Sequence, residues 1–183
     1  VLSDGSVYSG QWIGDKRDGH GTIIWPDRTK YIGTWLDDKM FGMGMIVHPD
    51  GTTYEGDCRD GKAHGKGKRT EARGAEYEGD WRNDQKHGFG IETWPNGEKY
   101  SGSYKFDKKD GDGRLVYPDN SVYEGEFRDD KVHGKGKLTW ADGRVYNGEW
   151  ADDRMNGKGR LEWKNGQVYE GQFKKGKRHG YGE

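Results

Sequence analysis

Long apolar segments are the clearest absence from this chain. No run of consecutive apolar residues exceeds four, whereas a membrane-spanning helix needs about 20 and the core of a secretory signal peptide about 7 to 15. The sequence therefore predicts neither a transmembrane helix nor a signal-peptide core.

The chain is also poor in cysteine and in large aliphatic side chains. Cys58 is the single cysteine, which excludes an intrachain disulfide and favours a reducing compartment. Leu, Ile, Val and Phe together make up 24 of 183 residues, a fraction that indicates disorder only when a large net charge accompanies it. Because the formal net charge is −1 and 13% of the residues are aromatic, we expect a folded chain whose apolar area comes from aromatic rings.

The main feature of the sequence is instead a repeat of 23 residues. Eight tyrosines follow one another every 23 residues without insertion or deletion, at Tyr8, Tyr31, Tyr54, Tyr77, Tyr100, Tyr123, Tyr146 and Tyr169. When each tyrosine is counted as position 0, glycine occupies +2, +11 and +13 in every repeat, and +4 is aromatic in seven of the eight. The pattern predicts one continuous repeat array over residues 1–183, with an incomplete last repeat.

Apolar and polar positions alternate around the tyrosine and again from +11 to +17, which is the period of half-buried strands. Each repeat should therefore hold two short strands, separated by a charged six-residue loop at +5 to +10. The link Trp25-Pro26-Asp27 is typical of a type I turn followed by a left-handed bulge residue. The aromatic rings should share one sheet face with the glycines and lie over the gaps that the glycines leave.

The line Tyr77-x-Gly79-x-Trp81, followed by Gly88-x-Gly90, resembles the unit of the MORN repeat family. The resemblance implies an all-β fold, an elongated single-layer antiparallel β-hairpin solenoid of eight 23-residue repeats. It also implies a scaffold or docking role without enzymatic activity, in the cytoplasm, at the cytoskeleton or at the inner face of a membrane. The chain begins without Met and stops within the eighth repeat, so a regulatory segment of a larger enzyme remains an alternative.

A single-layer sheet has no second sheet to cover its rings, so we expect part of the aromatic face to form an open groove. Such a groove accepts a helical or an extended segment of another protein. The residues predicted to line it are Trp12, Tyr31, Trp35, Tyr54, Trp81, Tyr100 and Trp150.

Repeats 2 and 3 depart from the pattern. Repeat 2 carries apolar side chains at offsets that are mostly charged elsewhere, namely Ile32, Leu36, Met40, Phe41, Met43 and Met45. This apolar patch is either local packing under the loop or an adaptable binding surface. Repeat 3 has Cys58 in place of the +4 aromatic residue and Arg69 in place of the +15 aliphatic residue, which indicates either drift or a hinge.

Catalytic and metal sites find little support. His64, His87, His133 and His179 all hold position +10, so the repeat itself explains them, and no nucleophile stands out. Cys58 and His64 would supply only two of the four ligands of a closed zinc site, so a contact between two chains would have to complete it. We expect no cofactor, and the neutral net charge argues against nucleic acid as a partner.

The last repeat is the most basic one, with Lys174, Lys175, Lys177 and Arg178 and no acidic neighbour before Glu183. This cluster is either a solvated turn or a site for anionic phospholipid, which attracts such residues by about 1 kcal/mol per charge. The same end offers an unpaired strand. We expect two copies to pair there as a homodimer, with Tyr169, Phe173 and Tyr181 at the junction.

Overall fold

A computed structural model describes all residues from 1 to 183, and its regular structure consists entirely of strands. The strands are β1 (Val7–Ile13), β2 (Lys16–Ile24), β3 (Lys30–Leu36), β4 (Lys39–Val47), β5 (Thr53–Arg59), β6 (Lys62–Thr70), β7 (Glu76–Arg82), β8 (Gln85–Thr93), β9 (Lys99–Lys105), β10 (Lys108–Val116), β11 (Val122–Arg128), β12 (Lys131–Thr139), β13 (Val145–Ala151), β14 (Arg154–Glu162), β15 (Val168–Lys174) and β16 (Lys177–Gly182).

The strands belong to a single antiparallel sheet in which their order is the order along the chain. This confirms the predicted all-β class and the single layer of stacked hairpins. No helix long and apolar enough to span a bilayer occurs. Packing divides the chain into a first unit, Val1–Gly88, and a second unit, Phe89–Glu183.

Within each hairpin the two strands are joined by only two residues. In repeat 2 these are Asp37 and Asp38, with φ of 48° and 68°, which is the geometry of a type I′ turn. The prediction of a six-residue loop at +5 to +10 is therefore wrong. Asp, Asn and Gly tolerate positive φ, so the chain reverses within +6 and +7, and the remaining loop positions extend the strands.

A bulge follows the turn in seven of the hairpins. In the first hairpin Trp12 pairs with Arg17 while Gly10 pairs with Gly21, so three residues lie opposite Gln11 alone. The backbone reaches a φ of 91° at Gly19. The +11 glycine is thus required by the left-handed backbone of the bulge, whereas the sequence had suggested that it makes room for a ring.

The links between hairpins have the predicted turn. Arg28 N donates to Trp25 O at 2.9 Å, and Trp25 N donates to Thr29 O at the same distance. Arg28 itself has a φ of 71°, so it occupies the left-handed bulge position that is glycine in most repeats. The carboxylate of Asp27 accepts a hydrogen bond from Thr29 N at 2.8 Å and thereby fixes the turn.

The core is a row of rings on one face of the sheet. Tyr31 is fully buried, and its hydroxyl donates to Thr34 O at 2.8 Å. A Cβ atom on Gly33 would lie only 2.6 Å from Cζ of Tyr31, so the +2 glycine makes room for the ring, as predicted. The ring of Trp35 then packs edge-on against Tyr31 at 5.3 Å and against Tyr8 of the preceding repeat at 5.4 Å.

Candidate functional site

The aromatic face carries the predicted groove residues, but most of their rings are covered. Trp12 is 46% exposed, whereas the other six are buried: Tyr31, Trp35, Tyr54, Trp81, Tyr100 and Trp150. The expectation of open rings is therefore wrong for these six. Trp35 sits between Tyr31 of its own repeat and Tyr8 of the preceding one, and Trp12 lacks such a preceding neighbour because it belongs to the first repeat.

The accessible part of this face consists of other side chains. The tryptophans at +17 are half-buried, and cations lie over three of them. The ammonium of Lys109 is 4.9 Å from the ring centroid of Trp94, and the guanidinium of Arg144 is 4.7 Å from that of Trp140. Sequence reasoning had not placed these cations over rings, although the restriction of every tryptophan to +4 or +17 was a signal for it.

Arg17 shows how a +9 cation fits into this face. Its guanidinium lies 4.3 Å from the ring centroid of Trp35. Its Nε donates to Asp38 Oδ1 at 3.0 Å, and its Nη2 donates to the Asp38 carbonyl oxygen at 2.9 Å. The Arg17 backbone N–H donates to the same carboxylate at 2.8 Å. These hydrogen bonds, the one from the backbone N–H first, hold the pKa of Asp38 below its usual value.

Repeat 3 lacks both the ring and the cation. Cys58 stands at +4 and Ala63 at +9, and the two residues pair across β5 and β6 in the register that Trp35 and Met40 have in repeat 2. Strand pairing therefore continues through repeat 3. A cavity of about 300 Å³ opens beside Ala63, next to the packed rings of Tyr54 and Trp81.

Cys58 is 3% exposed, and burial raises the pKa of its thiol to about 11. Zinc ligation requires the thiolate, and a ligand from a second chain cannot reach a covered sulfur. No group of three or more His, Cys, Asp or Glu side chains is arranged to hold a metal ion. The geometry thus gives no support to an interchain zinc site at Cys58 and His64.

The apolar patch of repeat 2 lies mainly on the opposite face of the sheet. Ile32 and Met45 form a cross-strand pair, whereas Met40 pairs with Trp35 on the aromatic face. Five of the six predicted residues are exposed, from 36% for Met45 to 59% for Met43: Ile32, Leu36, Phe41, Met43 and Met45. Packing under the turn therefore does not bury them.

Ion pairs of one offset recur at four of the hairpin turns. At the places after Lys62 and Gln85 the partner position is Asn83 or Phe106, which carries no charge. Lys16 Nζ lies 2.9 Å from Asp37 Oδ1 of the next repeat, and the same offset joins Lys39 to Asp60 at 3.3 Å. At the corresponding place Lys175 stands where the paired repeats have Asp, and it lines the same surface pocket as Arg154. At this end of the sheet Arg154, Lys174, Lys175 and Lys177 are exposed and make no ion pair. Arg178 differs, since its guanidinium lies 5.4 Å from the ring centroid of Tyr169.

At the C-terminal edge the three predicted junction residues are separated. Phe173 is 3% exposed and packs edge-on against Tyr146 at 5.0 Å, so it is not available to a second copy. Tyr169 is half-buried, and Tyr181 is 92% exposed. The outer edge of β16 itself has no partner strand.

Comparison with known proteins places the chain among repeat proteins. The family model of the MORN repeat matches residues 8–30, 31–53, 54–74, 77–99, 100–122, 123–143, 146–168 and 169–183. No curated protein sequence matches the chain. The structure is similar to the SAS-4 (dCPAP) TCP domain of Drosophila melanogaster, solved in complex with a proline-rich motif of Ana2 (dSTIL). That match has 19% identity and a TM-score of 0.54, and it covers 95% of this chain and 94% of that one.

Two further structures are similar at lower scores. The TCP10c domain of Drosophila melanogaster Sas-4 has 19% identity and a TM-score of 0.48, over 92% of this chain and 100% of that one. The TCP10 domain of Danio rerio CPAP, solved with a peptide of STIL, has 12% identity and a TM-score of 0.34, over 91% and 93%. Only the first of the three similarities is close enough to show a shared fold.

Proposed function

The chain belongs to the MORN repeat family, and we propose that it is a non-enzymatic scaffold that binds segments of other proteins. The observation that carries this proposal is the aromatic face. Its rings are packed into a rigid floor, and half-buried tryptophans with cations over them remain accessible above that floor. Aromatic and arginine side chains are the groups that most often anchor protein interfaces.

We propose that the partner lies along this face as a helical or an extended segment, within either unit. The buried groove residues support the surface from below, while the +9 and +17 side chains make the contacts. The shared fold with a domain solved on a proline-rich motif is consistent with an extended partner. The proposed setting is the cytoskeleton or the inner face of a membrane.

The test is a pull-down from the native cell, followed by affinity measurement on the partner that is identified. Trp25→Ala in the first unit and Trp140→Ala in the second should weaken binding, by about 2 kcal/mol for a central anchor. The matched control replaces Met43 and Met45 with Glu on the opposite face. If both tryptophan variants bind as wild type, the aromatic face is not the site.

Replacing the buried rings is a poorer test. Trp35 and Trp81 are 3% and 5% exposed, and truncating a buried aromatic side chain to Ala costs about 3 to 5 kcal/mol of stability. A loss of binding in such a variant would report unfolding as readily as a lost contact.

Binding to anionic phospholipid is the second candidate function, favoured by the unpaired exposed cations of the last repeat. Lys174, Lys175 and Lys177 make no ion pair, whereas Lys16, Lys39 and Lys108 of earlier turns are paired with Asp. Exposed cations in such a cluster attract anionic membrane surfaces.

We also propose that two copies of the chain associate through the C-terminal edge of the sheet. In earlier repeats the +9 backbone N–H donates to the next repeat, as Lys109 N does to Asp130 Oδ1 at 2.8 Å. The corresponding N–H of Arg178 lies at the open edge of β16. An unpaired edge of this kind is a template for a strand of a second copy, with Tyr181 exposed beside it.

A further inference from the structure

Repeat 1 contains a filled cation site. The guanidinium of Arg17 is stacked 4.3 Å over Trp35, and Asp38 accepts hydrogen bonds from the Arg17 side chain through its carboxylate and its carbonyl oxygen. The ring of Tyr8 closes one side, with its centroid 5.9 Å from the guanidinium carbon. The Arg17 side chain is 18% exposed, so the site is nearly closed.

Repeat 3 has the same frame without the arginine. Asp84 and Trp81 stand where Asp38 and Trp35 stand, and the backbone contacts are the same. Ala63 N donates to Asp84 Oδ1 at 2.8 Å, and Asp84 N donates to Ala63 O at 2.9 Å. Trp81 Nε1 donates to Gly67 O at 2.9 Å and keeps the indole in place.

The space of the missing side chain is the cavity of about 300 Å³ described above. It is lined by Tyr54, Ala63, Trp81 and Asp84, which are the counterparts of the four residues of the filled site, and also by Ile46 and Arg69. At the other +9 positions larger side chains occupy this space, such as Met40 and the buried Val132. Ala63 is the smallest residue at this offset.

Charge decides which ligand suits the cavity. The basic residues of the lining are His48 and Arg69, and the Nε of Arg69 is held by Glu71 Oε1 at 2.7 Å, which neutralises it. Asp84 has no ion-pair partner and is exposed. A carboxylate beside an indole face selects a flat cation that can stack and donate several hydrogen bonds, which describes a guanidinium better than an ammonium.

We propose that the repeat 3 cavity binds the arginine side chain of a partner segment. Its guanidinium donates to Asp84 and contacts the accessible part of Trp81, which is 5% exposed, at the place that corresponds to Arg17 in repeat 1. This assignment rests on the proposed scaffold function and deepens it, because it names an anchor residue of the partner. The chain's own first repeat supplies the template for the bound geometry.

The test uses capped arginine, N-acetyl-arginine-N-methylamide, titrated into the ¹⁵N-labelled full chain. The indole N–H of Trp81 and the amide of Ala63 should shift in a saturable way. Capped citrulline, which has nearly the same shape without the charge, should bind roughly tenfold more weakly or worse. Asp84→Asn should weaken the binding of capped arginine by a similar factor. Ala63→Arg should abolish the chemical-shift changes, because the new side chain would fill the cavity.

The matched variant is Arg17→Ala, which empties the site of repeat 1. It should create a second binding event, reported by the indole of Trp35, and Asp38→Asn should remove that event. Shifts that persist in Ala63→Arg, or equal binding of arginine and citrulline, would overturn the proposal, as would no shift at all. The titration needs no protein partner, so its failure is distinct from failure of the pull-down that tests the scaffold function.

Discussion

The ring of Tyr100 lies directly over the backbone of Gly113, so that a Cβ atom at Gly113 would lie 2.5 Å from Cε2 of the tyrosine. Tyr100 is fully buried, and its hydroxyl donates to Ser103 O at 2.8 Å. The ring is thus held at both ends and cannot move aside. The absence of a side chain at Gly113 is a packing requirement of the fold.

Gly113→Ala should therefore destabilise the chain by about 3 kcal/mol, because it overpacks a site with no free space. The measurement is the free energy of unfolding in urea. Gly166→Ala is the matched control, since nothing lies within 4 Å of its Cβ position and its φ of 85° is the remaining penalty. That penalty should be about 1 kcal/mol, because Arg28 already occupies the equivalent position with a φ of 71°. Equal losses for the two variants would show that ring packing does not set the cost.

The turn aspartates should make the stability of the fold decrease at acid pH. Hydrogen bonds from the backbone two residues later, helped by side-chain donors, hold the pKa values of Asp27, Asp50, Asp119 and Asp142 below their usual value. A folded pKa below the unfolded one contributes stability above the unfolded pKa. That stability is lost as pH falls through the folded value, which here means below about pH 4.

Replacing these four aspartates with Asn should flatten the loss of thermal stability between about pH 4 and pH 2. The turns themselves should survive, because Asn96 and Asn165 already cap equivalent turns by accepting from Glu98 N at 3.0 Å and Gln167 N at 3.1 Å. Melting temperatures across this range check the prediction. If the melting temperature of the variant falls with pH as steeply as that of the wild type, other carboxylates cause the pH dependence.

Cys58 should react slowly while the chain is folded. Its pKa of about 11, against an ordinary value of 9.0, leaves about a hundredfold less thiolate at pH 8. Alkylation by iodoacetamide, followed by mass spectrometry, should therefore be at least that much slower than in urea. Added zinc should not change the folded rate. Protection by zinc, with a doubling of mass, would instead support the interchain site at Cys58 and His64.

The C-terminal cations should control any capture by phosphatidylcholine vesicles that contain phosphatidylinositol bisphosphate. Replacing Lys174, Lys175 and Lys177 with Gln should weaken capture roughly a hundredfold, at about 1 kcal/mol for each charge. Arg178→Gln should matter less, because that guanidinium is directed onto the rings of Trp163 and Tyr169. The charge-matched control replaces Lys16, Lys39 and Lys108, which are already paired with Asp. Equal losses in both triple variants would indicate nonspecific attraction.

Light scattering at micromolar concentration should give twice the 20.8 kDa mass of the chain. Arg178→Pro should return the mass to that of one chain, because proline removes the outward N–H of β16 that a second strand would need. Replacing Met43 and Met45 with Glu should leave the dimer intact. A dimer that survives the proline but is lost with the two glutamates would move the interface to the exposed patch of repeat 2.

Much of the fold was predictable because the residues that determine the geometry of a repeat lie within one hairpin or its link. Alternation around Tyr31 predicted a strand, and the glycine at Gly33 predicted space beneath a ring. The Trp25-Pro26-Asp27 link predicted its turn. Each of these features depends on residues within one hairpin or its link. The short turn at Asp37 and Asp38 was missed because a charged, glycine-rich stretch is compatible both with a loop and with a tight turn followed by a bulge.

The sequence alone determined the 23-residue period, the two strands of each repeat, the face that carries the rings and the family. Only the tertiary structure decided which of those rings solvent can reach, because the burial of Trp35 depends on Tyr8 of the preceding repeat and on Arg17 above it. For the same reason it alone showed the cavity at Ala63 and the absence of an ion pair at Arg154. The period of the sequence determines the strands and turns of one hairpin. The exposure of a ring, the presence of a cavity and the pairing of a charge depend instead on the side chains of the adjacent repeat.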